Sequence, residues 1–203
     1  MIPMTSIPAK TIFLASSSPR RRELMSSLPL QVSVHPSETD EHYDARLSPD
    51  HIVETLALRK AMSVAKQLLH TQTEGIVVGS DTIVVLDGRP LGKPTDRMDA
   101  FRMLKSLQGR EHLVYTGVAC VELPGEKHLV RHRVTKVHMK SMSARQIDSY
   151  IATGEPMDKA GSYAIQGIGA TLIDRIEGDY FNVVGLPLSL LSDMLEEFGV
   201  HIL

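Results

Sequence analysis

Residues 11–24, Thr-Ile-Phe-Leu-Ala-Ser-Ser-Ser-Pro-Arg-Arg-Arg-Glu-Leu, constrain this chain more than any other stretch, because they run a strand straight into a helix start of the wrong charge. The apolar run 12–15 reads as a strand and Ser16 to Ser18 as a turn, with Ser18 as N-cap. Pro19 fits the first helical position, where its missing N–H costs nothing. The macrodipole puts partial positive charge on that turn, so Asp or Glu is expected there. The chain places Arg20, Arg21 and Arg22 instead, each disfavoured by about 0.3–1 kcal/mol at an exposed site. A bound anion resolves the conflict, since backbone N–H groups, serine hydroxyls and guanidinium forks would all converge on phosphate. A solvated basic face on a surface helix is the competing reading.

The remaining pattern alternates strands and helices. Val32 and Val34 mark a short strand ending at Pro36, followed by an acidic loop, Ser37-Glu-Thr-Asp-Glu41. Ser48-Pro49-Asp50 opens a long helix to about His70, with an apolar stripe through Val53, Leu56, Ala57, Ala61, Val64, Ala65 and Leu68. β-branched runs at 76–78 and 83–86 flank Gly79-Ser-Asp-Thr82, and Asp87-Gly88 is a two-residue hairpin turn. Thr95 or Asp96 caps a helix that turns Met98, Phe101, Leu104 and Leu107 inward and stops at Gly109. Strands at 113–123 and 129–139 are joined by Pro124-Gly125. Ser143-Ala-Arg-Gln146 is a capping box for a helix ending at Gly154, Leu172-Ile173 is a last short strand, and a terminal helix follows Pro187. Strands mixed with helices and hairpins imply an α/β fold with a mixed sheet. With 203 residues and no linker or low-complexity segment, residues 1–203 read as a single domain.

Charge narrows the function. A net charge of −2 lacks the broad basic field that a stable nucleic-acid complex needs. Local basic clusters suit a small anionic ligand. No apolar run reaches the ~20 residues of a membrane span, no export signal opens the chain, and Cys120 has no disulfide partner. A cytoplasmic protein is expected, with Cys120 in the core.

The hairpin supplies geometry for candidate site residues. With Asp87-Gly88 as the turn, Leu86 pairs with Arg89, Val84 with Leu91 and Thr82 with Lys93. Strict alternation aims Asp81 at the face opposite Thr82 and Lys93. One ligand can use both only at a strand end or a bulge, which Gly79, Ser80 and Gly92 make plausible. Asp81, between apolar strands, needs a cation such as Lys93 or a metal. Lys60 lies at the margin of the long helix's stripe, where lysines usually extend to solvent. Asp40 and Glu41 suit a divalent ion held by carboxylates and substrate phosphates, or simply a solvated loop. In the glycine-rich segment 154–169, the Gln166 amide can donate and accept at once, as reading a pyrimidine edge requires. The segment 88–94 is no P-loop, because Pro94 stands where Ser or Thr should be. His128, His132 and His138 lack zinc spacing.

Six segments in order, Leu14-Ala-Ser-Ser-Ser-Pro-Arg-Arg21, Leu58-Arg-Lys-Ala61, Gly79-Ser-Asp-Thr82, Gly92-Lys-Pro94, Glu155-Pro-Met-Asp-Lys-Ala-Gly161 and Gly185-Leu-Pro187, resemble the Maf family of nucleoside triphosphate pyrophosphatases. The resemblance implies an α/β fold with an elongated mixed sheet flanked by helices, two lobes around a central cleft. It implies hydrolysis of a nucleotide between its α and β phosphates. By motif position Asp81 looks like the proton acceptor, with Glu41 as rival. Ser18, Arg21, Glu41, Lys60 and Lys93 look like the phosphate and metal shell, Glu41 and Asp81 facing a Mg²⁺ or Mn²⁺ ion. Arg20, Thr82 and Gln166 look like specificity positions of the branch that prefers dTTP and UTP, with Lys159 also at the substrate. A branch acting on 7-methyl-GTP differs around Asp158-Lys159. Ser162 and Ala164 replace the more usual Ala and Gly. A non-catalytic nucleotide-binding regulator of cell division is the alternative from another class, and a homodimer is compatible with the sequence.

Overall fold

The computed structural model describes residues 10–44, 46–71, 74–125 and 127–203. The expected single span 1–203 includes residues 1–9, which lie outside the described residues. Among the described residues the sheet has seven strands: β1 (Thr11–Ala15), β2 (Val32–Val34), β3 (Gly75–Leu86), β4 (Arg89–Leu91), β5 (Glu111–Leu123), β6 (His128–Met139) and β7 (Ile173–Glu177). Its order is β2-β1-β3-β5-β6-β7, with β4 paired to β3. β1 is parallel to β2 and β3, and the remaining pairs are antiparallel, so the sheet is mixed as expected.

β3 is the spine. The two β-branched runs expected on either side of Gly79-Ser-Asp-Thr82 are one unbroken strand, because β5 pairs with it continuously from Gly75 to Val85 with no register shift. Asp87 and Gly88 turn into β4 with φ of 52° and 74°, the doubly left-handed geometry of a tight hairpin. Pairing runs Leu86–Arg89, Val85–Pro90 and Val84–Leu91 and goes no further. The expected Thr82–Lys93 pair therefore does not form as a ladder contact. On the same edge, β1 leaves β3 after Ala15–Gly79. Among the described residues, 80–83 are thus left without a strand neighbour on one side. That gap reconciles alternation with a shared site: both faces of β3 open onto it, and no bulge is needed.

Helices cover the two faces differently. On the face of Asp81, α2 (Pro49–Leu68) packs along β3 and β5. Its approach depends on two glycines, since a Cβ on Gly79 would sit 2.3 Å from the Ala57 carbonyl oxygen and one on Gly117 2.3 Å from that of Val53. On the face of Thr82 there are two separate apolar clusters. One joins Ile76 and Val78 to α1 (Pro19–Ser26) and α6 (Leu188–Glu196), and the other joins Val84 and Leu86 to α3 (Arg97–Leu107) and α4 (Ala144–Ala152). The polar pair Ser80 and Thr82 lies between them. This is the physical content of the two expected lobes.

Several local expectations need correction. Met98 is 83% exposed, whereas Ala100, Met103, Leu104 and Leu107 form the buried i, i+3, i+4, i+7 stripe of α3. The helix phase leaves Met98 off that stripe. The last strand extends to Glu177, and a short helix, α5 (Tyr180–Val184), follows it with Asp179 as its cap. The capping box at Ser143 and the Asp96 cap are present. Cys120 is fully buried, and burial pushes its thiol up to about 12. No helix among the described residues is long and apolar enough to cross a membrane.

Candidate active site

A cavity of about 450 Å³ opens at the gap in the β3 edge. The ten site residues that the family resemblance implies all line it: Ser18, Arg20 and Arg21 from the start of α1, Glu41 from the acidic loop, Lys60 from α2, Asp81 and Thr82 from β3, Lys93 after β4, and Lys159 and Gln166 from the glycine-rich segment. Asp40, the other acid suggested for a divalent ion, does not line it, and its carboxylate accepts from the His42 N–H instead. The basic helix start is real, with the Ser18 side chain accepting from the Arg21 N–H and no acidic residue in the first turn. Arg22 is exposed and takes no part in the cavity wall.

On the α2 side, charges are paired. Lys60 is buried, contrary to the solvent-extended reading, because the glycine-mediated closeness of α2 carries its ammonium to the Asp81 carboxylate. Lys60 Nζ donates to Asp81 Oδ1 at 2.6 Å and to Glu41 Oε1 at 2.9 Å. Lys93 Nζ donates to Glu41 Oε2 at 3.1 Å, so the cation on Asp81 is Lys60 rather than Lys93. Burial pushes the Glu41 carboxyl up, but Lys60 and then Lys93 outweigh it and hold it at about 2. Arg59, the neighbour of Lys60, donates to the carbonyls of Asp40 and His42 at 2.9 and 2.7 Å. Consecutive helix residues therefore hold the loop backbone and its Glu41 side chain.

On the opposite face a cation is held, among the described residues, without a carboxylate. Arg21 Nε donates to the Gly185 carbonyl at 2.7 Å and Nη2 to Thr82 Oγ1 at 2.9 Å. Ser80 Oγ donates to the same carbonyl at 2.9 Å, which gives Gly185-Leu-Pro187 a structural task. Burial lowers the pKa of Arg21, a nearby Asp81 raises it, and Arg20 lowers it again. A guanidinium keeps its proton regardless, so its charge remains available for an anion.

The third wall is a braced loop. Glu155 Oε1 accepts from Tyr150 Oη and the Gly169 N–H, each at 2.8 Å, and Oε2 accepts from the Ile168 N–H at 3.0 Å. Lys159 donates to Asp158 Oδ1 at 2.6 Å and to the Glu155 carbonyl at 2.5 Å, and Arg20 approaches Asp158 at 4.0 Å. The Gln166 amide lies between these anchors and makes no hydrogen bond among the described residues, leaving its donor and acceptor for a ligand. Sequence reasoning missed Arg59 and Thr116, although Arg59 sits inside a quoted motif. The bracing by Glu155 was equally unforeseen. Each acts on backbone or on another side chain, a task no residue type announces.

Five cationic side chains, Arg20, Arg21, Lys60, Lys93 and Lys159, thus meet three carboxylates, Glu41, Asp81 and Asp158. That excess of positive charge fits a polyphosphate. Among the described residues no group of three or more His, Cys, Asp or Glu could hold a metal ion by itself. His132 and His138 are instead engaged by Glu54 and Glu177.

Comparisons agree with the geometry. A protein of Desulforamulus reducens named dTTP/UTP pyrophosphatase is 50% identical over 193 residues, covering 95% of this chain and 99% of its own length. One of Thermoanaerobacter sp. strain X514 with the same name is 52% identical over 193 residues, with the same coverage. The solved structure of the Staphylococcus aureus Ham1 protein shares the fold with a TM-score of 0.55 at 15% identity, over 93% of this chain and all of its own. The family described as Maf-like protein matches residues 11–198, and with relatives this similar over nearly their full lengths, the chain belongs to the Maf family.

Proposed function

We propose that this protein hydrolyses nucleoside triphosphates, dTTP and UTP foremost, to the monophosphate and pyrophosphate. The observation that carries the reading is the convergence of Arg21, Lys60 and Lys93 with the Asp81 carboxylate on one cavity from opposite faces of β3. The names of relatives about 50% identical support the substrate class.

Water attacks the α-phosphorus, the bond to the bridging oxygen breaks, and pyrophosphate leaves. Asp81 takes the proton from the attacking water. Lys60 holds Asp81 Oδ1, so Oδ2 is the oxygen available to that water. Both oxygens of Glu41 are engaged, Oε1 by Lys60 and Oε2 by Lys93, so Glu41 is the poorer candidate for that proton. Arg21, Lys93 and the Ser18 turn bind the phosphates, while Arg20, Thr82, Gln166 and Lys159 discriminate among nucleotides. Glu41 and Asp81 offer oxygen donors only, the ligand type a hard divalent cation takes alongside substrate phosphates, and the Lys60 ammonium that joins them occupies a cation position. Glu41 and Asp81 would hold Mg²⁺ or Mn²⁺, which when bound neutralises charge on the polyphosphate.

Pure protein with Mg²⁺ and UTP, dTTP, GTP or 7-methyl-GTP, followed by pyrophosphate release, tests this. Release from UTP and dTTP above the purines is expected. Faster release from 7-methyl-GTP would place the chain in the other branch. Saturable UTP binding without metal-dependent turnover would favour a regulator.

A further inference from the structure

Beyond Arg21 lies a chain of hydrogen bonds whose proton directions can be worked out completely. Thr116 on β5 is fully buried and stands directly opposite Thr82 in the β3–β5 register. Thr116 Oγ1 lies 2.8 Å from the carbonyl oxygen of Asn182 on α5, and a carbonyl only accepts. The single Thr116 hydroxyl proton is therefore committed to Asn182. The Thr82–Thr116 contact of 2.9 Å must then be donated by Thr82. With its own proton committed, Thr82 presents a lone pair to Arg21 Nη2, which donates at 2.9 Å. The Asn182 end is fixed in turn, since its Nδ2 donates to the Val114 carbonyl at 3.0 Å and to Thr135 Oγ1 at 2.9 Å.

We propose that Thr116 is a positioning residue for the hydrolysis reaction, acting through Thr82 to hold the Arg21 guanidinium against the substrate's phosphates. The relay runs one way, Arg21 to Thr82 to Thr116 to the Asn182 carbonyl. Thr82 consequently meets any substrate as an acceptor only, and never as a donor. Arg21 keeps its remaining N–H groups for the polyphosphate, oriented by two neutral acceptors, Thr82 Oγ1 and the Gly185 carbonyl. Removing the Thr116 oxygen leaves the Thr82 hydroxyl proton without its acceptor, so the oxygen that orients Arg21 is no longer held in one rotamer. This inference rests on the proposed pyrophosphatase reading for the role of Arg21.

The test is steady-state kinetics with UTP and Mg²⁺ on T116V, T116S, T82V and the T82V/T116V double variant, each checked for an intact thermal transition. T116V should lower kcat/KM up to about tenfold, the effect of one lost hydrogen bond between neutral groups. The loss should fall mainly in KM, because Arg21 meets the phosphates before and during reaction. T116S should stay within about threefold of wild type, and the double variant should be no worse than T82V alone. Unchanged kcat/KM in T116V, a T116S as impaired as T116V, or losses that multiply in the double variant would each overturn the proposal. If T116V does not fold, the pair T116S and T116A, which differ from each other only in the hydroxyl, carries the same comparison. Wild-type protein that releases no pyrophosphate overturns the reaction instead. The relay is then read by calorimetry of inorganic tripolyphosphate, where T116V should bind up to about tenfold more weakly and unchanged binding would contradict it.

Discussion

The two faces of β3 hold their cations in opposite ways. On one, Lys60 is buried between the carboxylates of Asp81 and Glu41, and its charge is neutralised within the protein. On the other, Arg21 is gripped by a carbonyl and a hydroxyl, so its position is set while its charge is left over. The difference assigns tasks. A neutralised lysine fixes the position of a carboxylate in a poorly hydrated place, and an unneutralised arginine waits for an anion. Both reach one cavity because, among the described residues, one edge of β3 lacks a strand neighbour at residues 80–83.

Breaking the charged face at its centre should have the largest effect. Asp81→Asn is expected to reduce pyrophosphate release by about 10²–10⁴-fold, the usual loss of a general base. Its far-ultraviolet circular dichroism should be unchanged, since Lys60 keeps Glu41 as a partner. Activity near wild type would transfer the base role to Glu41. Lys60→Met tests the same face through stability. Asp81 would lose its cation while only 10% exposed, and breaking a buried pair costs about 3–5 kcal/mol, readable as a lower urea midpoint.

Much of this comparison was legible in the sequence, and the illegible part has a common cause. The strand–turn–helix at 11–24, the Asp87-Gly88 hairpin and the capping box at Ser143 are local, and local rules found them. The burial of Lys60 was not legible, since it depends on Gly79 and Gly117 letting α2 approach two strands far apart in the chain. Thr116 was equally silent. A threonine in a strand gives no sign of a relay until the register sets it opposite Thr82. The gap that lets Asp81 and Thr82 share a cavity arises from where β1 ends and β4 begins, a relation between strands rather than a property of either.

The neutral face should respond more mildly. Arg21→Lys keeps the charge but loses the fork that contacts Gly185 and Thr82 together. A decrease in kcat/KM of about 10–100-fold is expected, with folding stability close to wild type. Acid separates the faces with the smallest effect. Glu41 is held at about 2 against an ordinary 4.5, so its stabilising contribution is fully present above pH 4.5 and is lost as pH falls toward 2. Glu41 is half exposed, which keeps the contribution small. Urea midpoints measured down through that window should fall less steeply in Glu41→Gln than in wild type, while Thr82→Val should follow the wild-type slope.

The most direct test is a crystal structure with Mg²⁺ and α,β-methylene-UTP, whose carbon bridge cannot be hydrolysed. The account predicts one triphosphate spanning the gap in β3, with Arg21 and Lys93 on its phosphate oxygens and Asp81 Oδ2 facing a water in line with the α-phosphorus. A nucleotide seated against only one face of β3, with Asp81 remote from the α-phosphorus, would contradict it.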